Sequence, residues 1–451
     1  MEKHMQITIG IILAAVMLAL AIGGAIWKRH IYADEYDRFA EKEDSYTLVV
    51  EGYDWGPAVP KIIVNVGDRE TKWTPDKCTS ANFTVSVTSE SFDFNKKQIV
   101  EETRIRPIKS LYACDIDGNK TDDLENATHI AIEFEVKPDD SFFSPFYFNF
   151  KKQVNEWKKK YSYKIESTLL DGNILTENDM LCAAENKFKP MKVRKGSRLH
   201  AAYYAPDQRE KGKKYPLIVW LHGAGEGGTD VSITLLGNKV TSLAAEEIQS
   251  YFGDAYVLCP QTPTVWMNAN GTPYDILSPS CKNKSSQYTA ECKQVIDDFI
   301  AAHSDIDTNR IYLGGCSNGG YMTINMLLAY PHFFAAAYPT CEAYNDSWLS
   351  DDQIALLAKT PLWFTAARTD TTVPPEQHAV PTVRRLREAG ASDVHFSYFD
   401  NVVDTTGAYT DKDGAPYQYN GHWSWIYVFN DTCSDKDESS LWKWIAKQTL
   451  R

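Results

Sequence analysis

The segment Gly315-Cys316-Ser317-Asn318-Gly319 constrains this chain more than any other. A short apolar run, Ile311-Tyr312-Leu313, leads into it, and a helix-compatible stretch from position 323 to 330 leaves it and stops at Pro331. Such a run fits a buried strand of a mostly parallel sheet, and proline cannot continue a helix. Between the two, Ser317 has to sit in a strained turn, and Gly315, Gly319 and Gly320 allow strand and helix to approach each other. A strand, tight turn, serine and helix in that order expose the serine Oγ as a nucleophile. The turn also aims the Asn318 N–H at the place where charge develops on an attacked carbonyl oxygen. Taken alone, the pentapeptide has a second, less favoured reading as a glycine-rich turn that happens to contain serine.

Residues further along argue for the chemical reading. Leu362-Trp363-Phe364-Thr365-Ala366 has the pattern of a strand, and Asp370 follows it. Val394-His395-Phe396-Ser397-Tyr398-Phe399 is the next strand candidate, and a polar loop then reaches Gly421-His422-Trp423. Serine, then acid after a later strand, then histidine after the next is the chain order expected around such a turn. His422 is expected to shuttle the proton of Ser317, with Asp370 holding its tautomer. Among ten histidines only His422 sits in a loop at the expected place, whereas His395 points from a strand and suits a core or edge position.

Upstream, Pro216-Leu217-Ile218-Val219-Trp220-Leu221 runs into His222-Gly223-Ala224-Gly225-Glu226-Gly227-Gly228. A buried strand feeding a glycine-rich loop is where a second oxyanion donor is expected; we assign it to the Ala224 N–H, with Gly223 beside it. The loop lacks the Lys-Ser/Thr ending of a phosphate-binding P-loop and the spacing of a dinucleotide fingerprint. Glu226 reads either as a solvated carboxylate or as a residue that orders the loop or contacts substrate. Gln261, just past the strand candidate Ala255-Tyr256-Val257-Leu258, and Trp423, beside the histidine, are expected at the pocket, each with a packing role as the alternative.

Leu221-His222-Gly223, Cys259-Pro260-Gln261, the turn from 315 to 320, Asp370 with Pro374, and Gly421-His422 together resemble the α/β-hydrolase superfamily. Within it the chain is similar to esterases of the polyhydroxybutyrate-depolymerase-like and feruloyl-esterase-like branch and to peptidases related to prolyl oligopeptidase. Cys316 departs from the residues common before the serine. The resemblance implies an α/β fold with a mostly parallel sheet flanked by helices over residues 170–451, an acyl-serine mechanism, and no cofactor or metal.

Residues 46–169 carry several short β-branched runs: Tyr46-Thr47-Leu48-Val49-Val50, Lys61-Ile62-Ile63-Val64, Phe83-Thr84-Val85-Ser86-Val87 and Ile130-Ala131-Ile132-Glu133-Phe134. With turn residues between them, they suggest an immunoglobulin-like β-sandwich. Glu51-Gly52-Tyr53-Asp54-Trp55-Gly56-Pro57 resembles the opening of such a domain in bacterial esterases. Asp115-Ile116-Asp117-Gly118-Asn119 places its glycine fourth, which suits a hairpin turn better than a calcium loop. The domain could space the enzyme from a membrane, support homo-oligomers or shape the rim of the site.

Between residues 5 and 27 there is no charged side chain, and about twenty apolar residues can span a bilayer. Residues 1–30 are therefore expected to form a transmembrane anchor or signal sequence, with 31–45 a linker and the body extracytoplasmic, although Lys28 and Arg29 after the span favour the opposite orientation. A net charge of −13 argues against nucleic acid and anionic lipid as partners. Nine cysteines leave at least one thiol unpaired, and Cys78 with Cys114 or Cys281 with Cys292 are conceivable bridges. The leading functional expectation is a carboxylesterase acting on short or aromatic acyl esters, free or polysaccharide-linked. A serine peptidase of prolyl-oligopeptidase type and a non-catalytic binding protein are the alternatives.

Overall fold

The computed structural model describes residues 44–450 except 68–73, 75, 94–95, 171–175, 283, 437 and 439. The apolar run at 5–27 lies outside the described residues; within them no helix is long and apolar enough to cross a membrane.

The C-terminal part is built on an eight-stranded sheet. Its spatial order is Lys189–Pro190, His200–Tyr204, Tyr256–Gln261, Tyr215–Leu221, Ile306–Cys316, Ala336–Thr340, Leu362–Ala367 and Val394–Phe399. The first two pairings in this order are antiparallel and the remaining five are parallel. Parallel strands are covered on both faces, which is why Tyr215–Leu221 is apolar and buried at every position. Leu217, Val219 and Leu221 enter one core, while Ile218 and Trp220 enter the core on the other face. Helices Thr289–Ala302 and Asn318–Ala329 pack in the first core. Trp442, Trp444 and the segment Trp425–Phe429 close the second.

The N-terminal part is a β-sandwich. One sheet runs Thr176–Leu181, Ser45–Tyr53, Gly56–Asn65, His129–Phe134, Ile108–Cys114; the other runs Gln98–Ile105, Phe83–Asp93, Tyr161–Ser167. Val59, Ile62, Val64, Val85, Val87, Ile130 and Ile165 fill the space between them. The sandwich extends past position 169, where the sequence pattern ends it: Thr176–Leu181 adds in parallel to Ser45–Tyr53. Its polar residues show no clean alternation, so the strand pattern is weak before pairing. Asp115 closes the expected turn, accepting from the N–H groups of Asp117 and Asn119. Neither conceivable disulfide forms, and Cys114 and Cys292 are buried thiols.

The two parts share a helix. Val231–Leu236 is buried all round, as a helix without a polar face must be. Val231 and Leu235, four residues apart, face the hydrolase-side core, whereas Ile233 and Leu236 enter the sandwich core. A two-stranded hairpin, Phe146–Asn149 with Val154–Trp157, projects from the sandwich toward this helix, and its Trp157 Nε1 donates to Ser232 Oγ at 2.9 Å.

Candidate active site

Ser317 lies between the end of the strand Ile306–Cys316 and the start of the helix Asn318–Ala329. Its backbone is left-handed, with φ 56° and ψ −115°. A non-glycine residue holds that conformation only where the surroundings enforce it. Here the Ser317 N–H donates to Thr340 O at 2.9 Å, and its carbonyl accepts from Tyr321 and Ala343. Gly319 is required by close approach: a Cβ there would sit 1.9 Å from Leu221 O.

The serine, histidine and aspartate expected from the sequence meet in one hydrogen-bonded line. Ser317 Oγ is 2.8 Å from His422 Nε2, and His422 Nδ1 is 2.7 Å from Asp370 Oδ2. Asp370 is 3 % exposed, and its other oxygen accepts from the N–H groups of Thr372 and Val373 at 2.9 and 2.8 Å. A carboxylate only accepts, so Nδ1 carries the imidazole proton and Nε2 is left to accept from the serine hydroxyl. Trp425 packs edge-on against the imidazole at 5.9 Å.

Asn318 is the first residue of its helix and Ala224 the first of the short turn Ala224–Glu226, so neither N–H has an acceptor within its own turn. The Asn318 side chain is turned away: its Oδ1 accepts from the Trp266 and Met267 N–H groups at 2.6 and 3.3 Å. Gly223 lies beside Cys316, its Cβ position 3.5 Å from Cys316 Sγ. His222 is fully buried, its Nδ1 on Gly223 O at 2.6 Å and its Nε2 accepting from Thr262 N–H at 3.1 Å. Burial pushes that imidazole down to about 4, keeping it neutral.

Two pocket expectations change. Gln261 has no exposed surface, and its Nε2 donates to Glu226 O at 2.9 Å and Asp230 O at 2.8 Å, so it braces the loop from below. Glu226 is 5 % exposed and points under its own loop instead of toward solvent. Of its two sequence readings, the loop-ordering one matches this placement. Trp423 is half-buried and lines a cleft of about 310 Å³ between the two parts, together with Trp55, Phe148, Asn155 and Gly237. Aromatic rings connect that cleft to the histidine: Trp55 stacks on Tyr419 at 6.3 Å, Tyr419 lies 6.3 Å from Trp423, and Trp423 lies 6.1 Å from Trp425.

Four likenesses to known proteins bear on this arrangement. Residues 45–176 match the family model described as "Esterase Ig-like N-terminal domain". In a superposition covering 90 % of this chain and 99 % of the other, the structure titled "Crystal Structure of a Thermostable Esterase" agrees with a TM-score of 0.67 at 22 % identity, which speaks for the fold. The chain has an α/β-hydrolase fold preceded by an Ig-like N-terminal domain. Residues 280–354 of the hydrolase domain match the "Prolyl oligopeptidase family". Over 124 residues the chain is 30 % identical to "Poly(3-hydroxyalkanoate) depolymerase C" of Paucimonas lemoignei, covering 28 % of this chain and 27 % of that one. The chain thus spans about a quarter of the curated relative's length.

Two residues near the site, Asn155 and Glu342, carry no sequence signal. Asn155 belongs to the Ig-like domain, 71 positions before the glutamate it touches. Glu342, 2 % exposed behind the nucleophile turn, accepts from Tyr344 N–H at 2.6 Å, and burial holds its carboxyl well above the usual range. Each is an ordinary residue in an ordinary stretch, and only folding brings it to the site.

Proposed function

We propose that this protein is a serine carboxylesterase that hydrolyses esters of short-chain or aromatic acyl groups. The observation that carries the reading is the continuous hydrogen-bonded line Ser317–His422–Asp370 at the start of the helix Asn318–Ala329. Ser317 Oγ attacks the ester carbonyl while His422 Nε2 takes its proton, and the resulting oxyanion is met by the N–H groups of Asn318 and Ala224. Collapse breaks the ester C–O bond, and His422 returns the proton to the leaving alcohol. Water then repeats the sequence on the acyl-Ser317 ester and releases the acid. Asp370 holds Nδ1 and stabilises the imidazolium formed in each half. The cleft lined by Trp423 and Phe148 is the place for the larger substituent of the ester, and polyester or polysaccharide-linked esters fit the same chemistry.

A peptidase is the second reading, favoured by the match of residues 280–354 to the prolyl oligopeptidase family. Against it, the domain that precedes the hydrolase is a sandwich rather than a propeller. The uncharged run at 5–27 supports membrane tethering, and one such segment ahead of a hydrolase domain is the arrangement of an exported enzyme; fractionation and protease accessibility of cells expressing the full chain test both.

The deciding experiment uses the detergent-solubilised full chain and its Ser317→Ala variant on p-nitrophenyl acetate, butyrate and octanoate, methyl ferulate and a prolyl-aminoacyl amide. Ester turnover at least about 10³-fold lower in the variant is expected. Amide cleavage without ester turnover would replace esterase by peptidase.

A further inference from the structure

The loop that presents Ala224 rests on a buried carboxyl, and that carboxyl rests on the other domain. Glu226 Oε2 lies 2.8 Å from the Cβ position of Gly223, directly beneath the loop, and Glu226 Oε1 accepts from Asn155 Nδ2 at 3.1 Å. Among the described residues no lysine or arginine pairs with Glu226. Burial pushes its carboxyl up to about 7, and the groups that favour its charge are N–H dipoles: the Gly223 backbone, the Asn155 amide and its own backbone. A carboxyl compensated by so few donors is sensitive to losing one of them.

Asn155 is held for this contact. Its strand, Val154–Trp157, is paired with Phe146–Asn149 and anchored by the Trp157–Ser232 hydrogen bond to the helix that follows the loop. Gly225 faces it closely: a Cβ there would lie 3.0 Å from Asn155 Nδ2 and 3.8 Å from Phe148 Cε2. From the other side, the loop's Glu226 carbonyl is fixed by Gln261 Nε2 and by Thr234 Oγ1 at 3.1 Å. Gly223, Asn155, Thr234 and Gln261 therefore surround one residue from four segments, and of these Asn155 alone comes from outside the hydrolase domain.

We propose that Asn155 of the Ig-like domain is a positioning residue of the active site, holding Glu226 so that the 223–226 loop presents the Ala224 N–H to the oxyanion. The inference rests on the esterase reading, because it assigns the contact a role in that reaction. A donor displaced by a fraction of an ångström from the developing charge loses much of its effect, which is read most directly on an ester whose acyl group is too small to fill the cleft. The Ig-like domain is thereby part of the catalytic apparatus as well as a neighbour of it.

The test is a double-mutant cycle on the full chain with Asn155→Ala, Glu226→Ala and the double variant, with Glu226→Gln as the conservative change and Lys152→Ala as a control on an exposed part of the same hairpin. Thermal melting establishes folding. The expected result is a loss of about tenfold in kcat for p-nitrophenyl acetate in Asn155→Ala, with KM within about twofold. The double variant is expected to be no slower than Glu226→Ala, Glu226→Gln to recover most of the rate, and Lys152→Ala to match wild type. The rate of Ser317 labelling by a fluorophosphonate, whose phosphoryl oxygen uses the same donors, is expected to fall in parallel. Equal kcat and equal labelling in Asn155→Ala and wild type would overturn the proposal, as would additive losses in the double variant. A wild-type protein that labels but turns over no ester would overturn the esterase reading instead, and the labelling contrast between wild type and Asn155→Ala would still decide the positioning role.

Discussion

Lys239 Nζ lies 2.9 Å from Asp54 Oδ1, so a lysine of the hydrolase domain and a carboxylate of the Ig-like domain form an ion pair at their junction. The Asp54 side chain is 4 % exposed, and its second oxygen accepts from Asn430 Nδ2 at 2.9 Å. The next residue is Trp55, which begins the aromatic path to His422. The junction is therefore polar at one position and aromatic at the next.

Asp54→Ala leaves Lys239 and Asn430 without their buried partner and is expected to cost about 3 kcal/mol. Urea unfolding followed by tryptophan fluorescence measures it. Ester turnover should fall together with stability, because Trp55 loses the anchor that holds it on Tyr419. A change under about 0.5 kcal/mol would show that the pair contributes nothing measurable.

Gly319→Ala places a methyl group 1.9 Å from Leu221 O and 2.6 Å from His222 O. Both are backbone atoms of a buried strand end, which cannot move aside as a flexible side chain would. Destabilisation of about 3 kcal/mol or more and loss of esterase activity are expected, read by soluble yield and thermal melting.

His395 links the strand Val394–Phe399 to the C-terminal segment, with Nδ1 2.8 Å from Asp435 Oδ2 and Nε2 2.9 Å from Asp393 Oδ1. Burial works against its charge, yet the hydrogen bonds to Asp393 and Asp435 hold its pKa above the ordinary 6.5. A raised folded pKa means that protonation favours the native state. That stabilisation is full below about pH 6.5 and fades as pH rises through the folded value. His395→Gln should therefore lower Tm more at pH 5.5 than at pH 8.5, as read by melting curves across that range. An equal loss at both ends would mean that packing against Trp363 and Trp444 is all that His395 supplies.

Trp423→Ala removes one wall of the cleft without touching Ser317, His422 or Asp370. KM for p-nitrophenyl octanoate and methyl ferulate is expected to rise about tenfold, with acetate changed by less than about threefold. Equal effects on all three substrates would place the acyl group elsewhere.

The nucleophile turn was readable because its requirements are local. A left-handed serine between a buried strand and a helix demands glycine at fixed offsets, and the hydrogen-bonded partners follow at strand ends in a set order. Ser317, Asp370 and His422 could thus be named from spacing, and the strands Tyr215–Leu221, Leu362–Ala367 and Val394–Phe399 from their apolar runs. Burial is a different matter. Nothing in the sequence around Gln261 or Glu226 distinguishes a side chain facing substrate from one tucked beneath a loop, since both are polar residues next to a strand end. Tertiary packing put the first on two carbonyl oxygens and the second on Asn155.

By itself, then, the sequence determined the α/β hydrolase architecture, the β-rich domain before it and the placement of Ser317, Asp370 and His422 at the ends of successive strands, because periodicity, glycine placement and strand-end chemistry act over a few residues. Only the tertiary structure decided that Val231–Leu236 serves two cores, that Asp54 and Trp55 reach the hydrolase domain, and that Asn155 hydrogen-bonds Glu226 in the loop that follows Tyr215–Leu221. Those contacts join segments far apart in the chain, and their partners are selected by shape and by the need to satisfy buried polar groups, which no local pattern encodes.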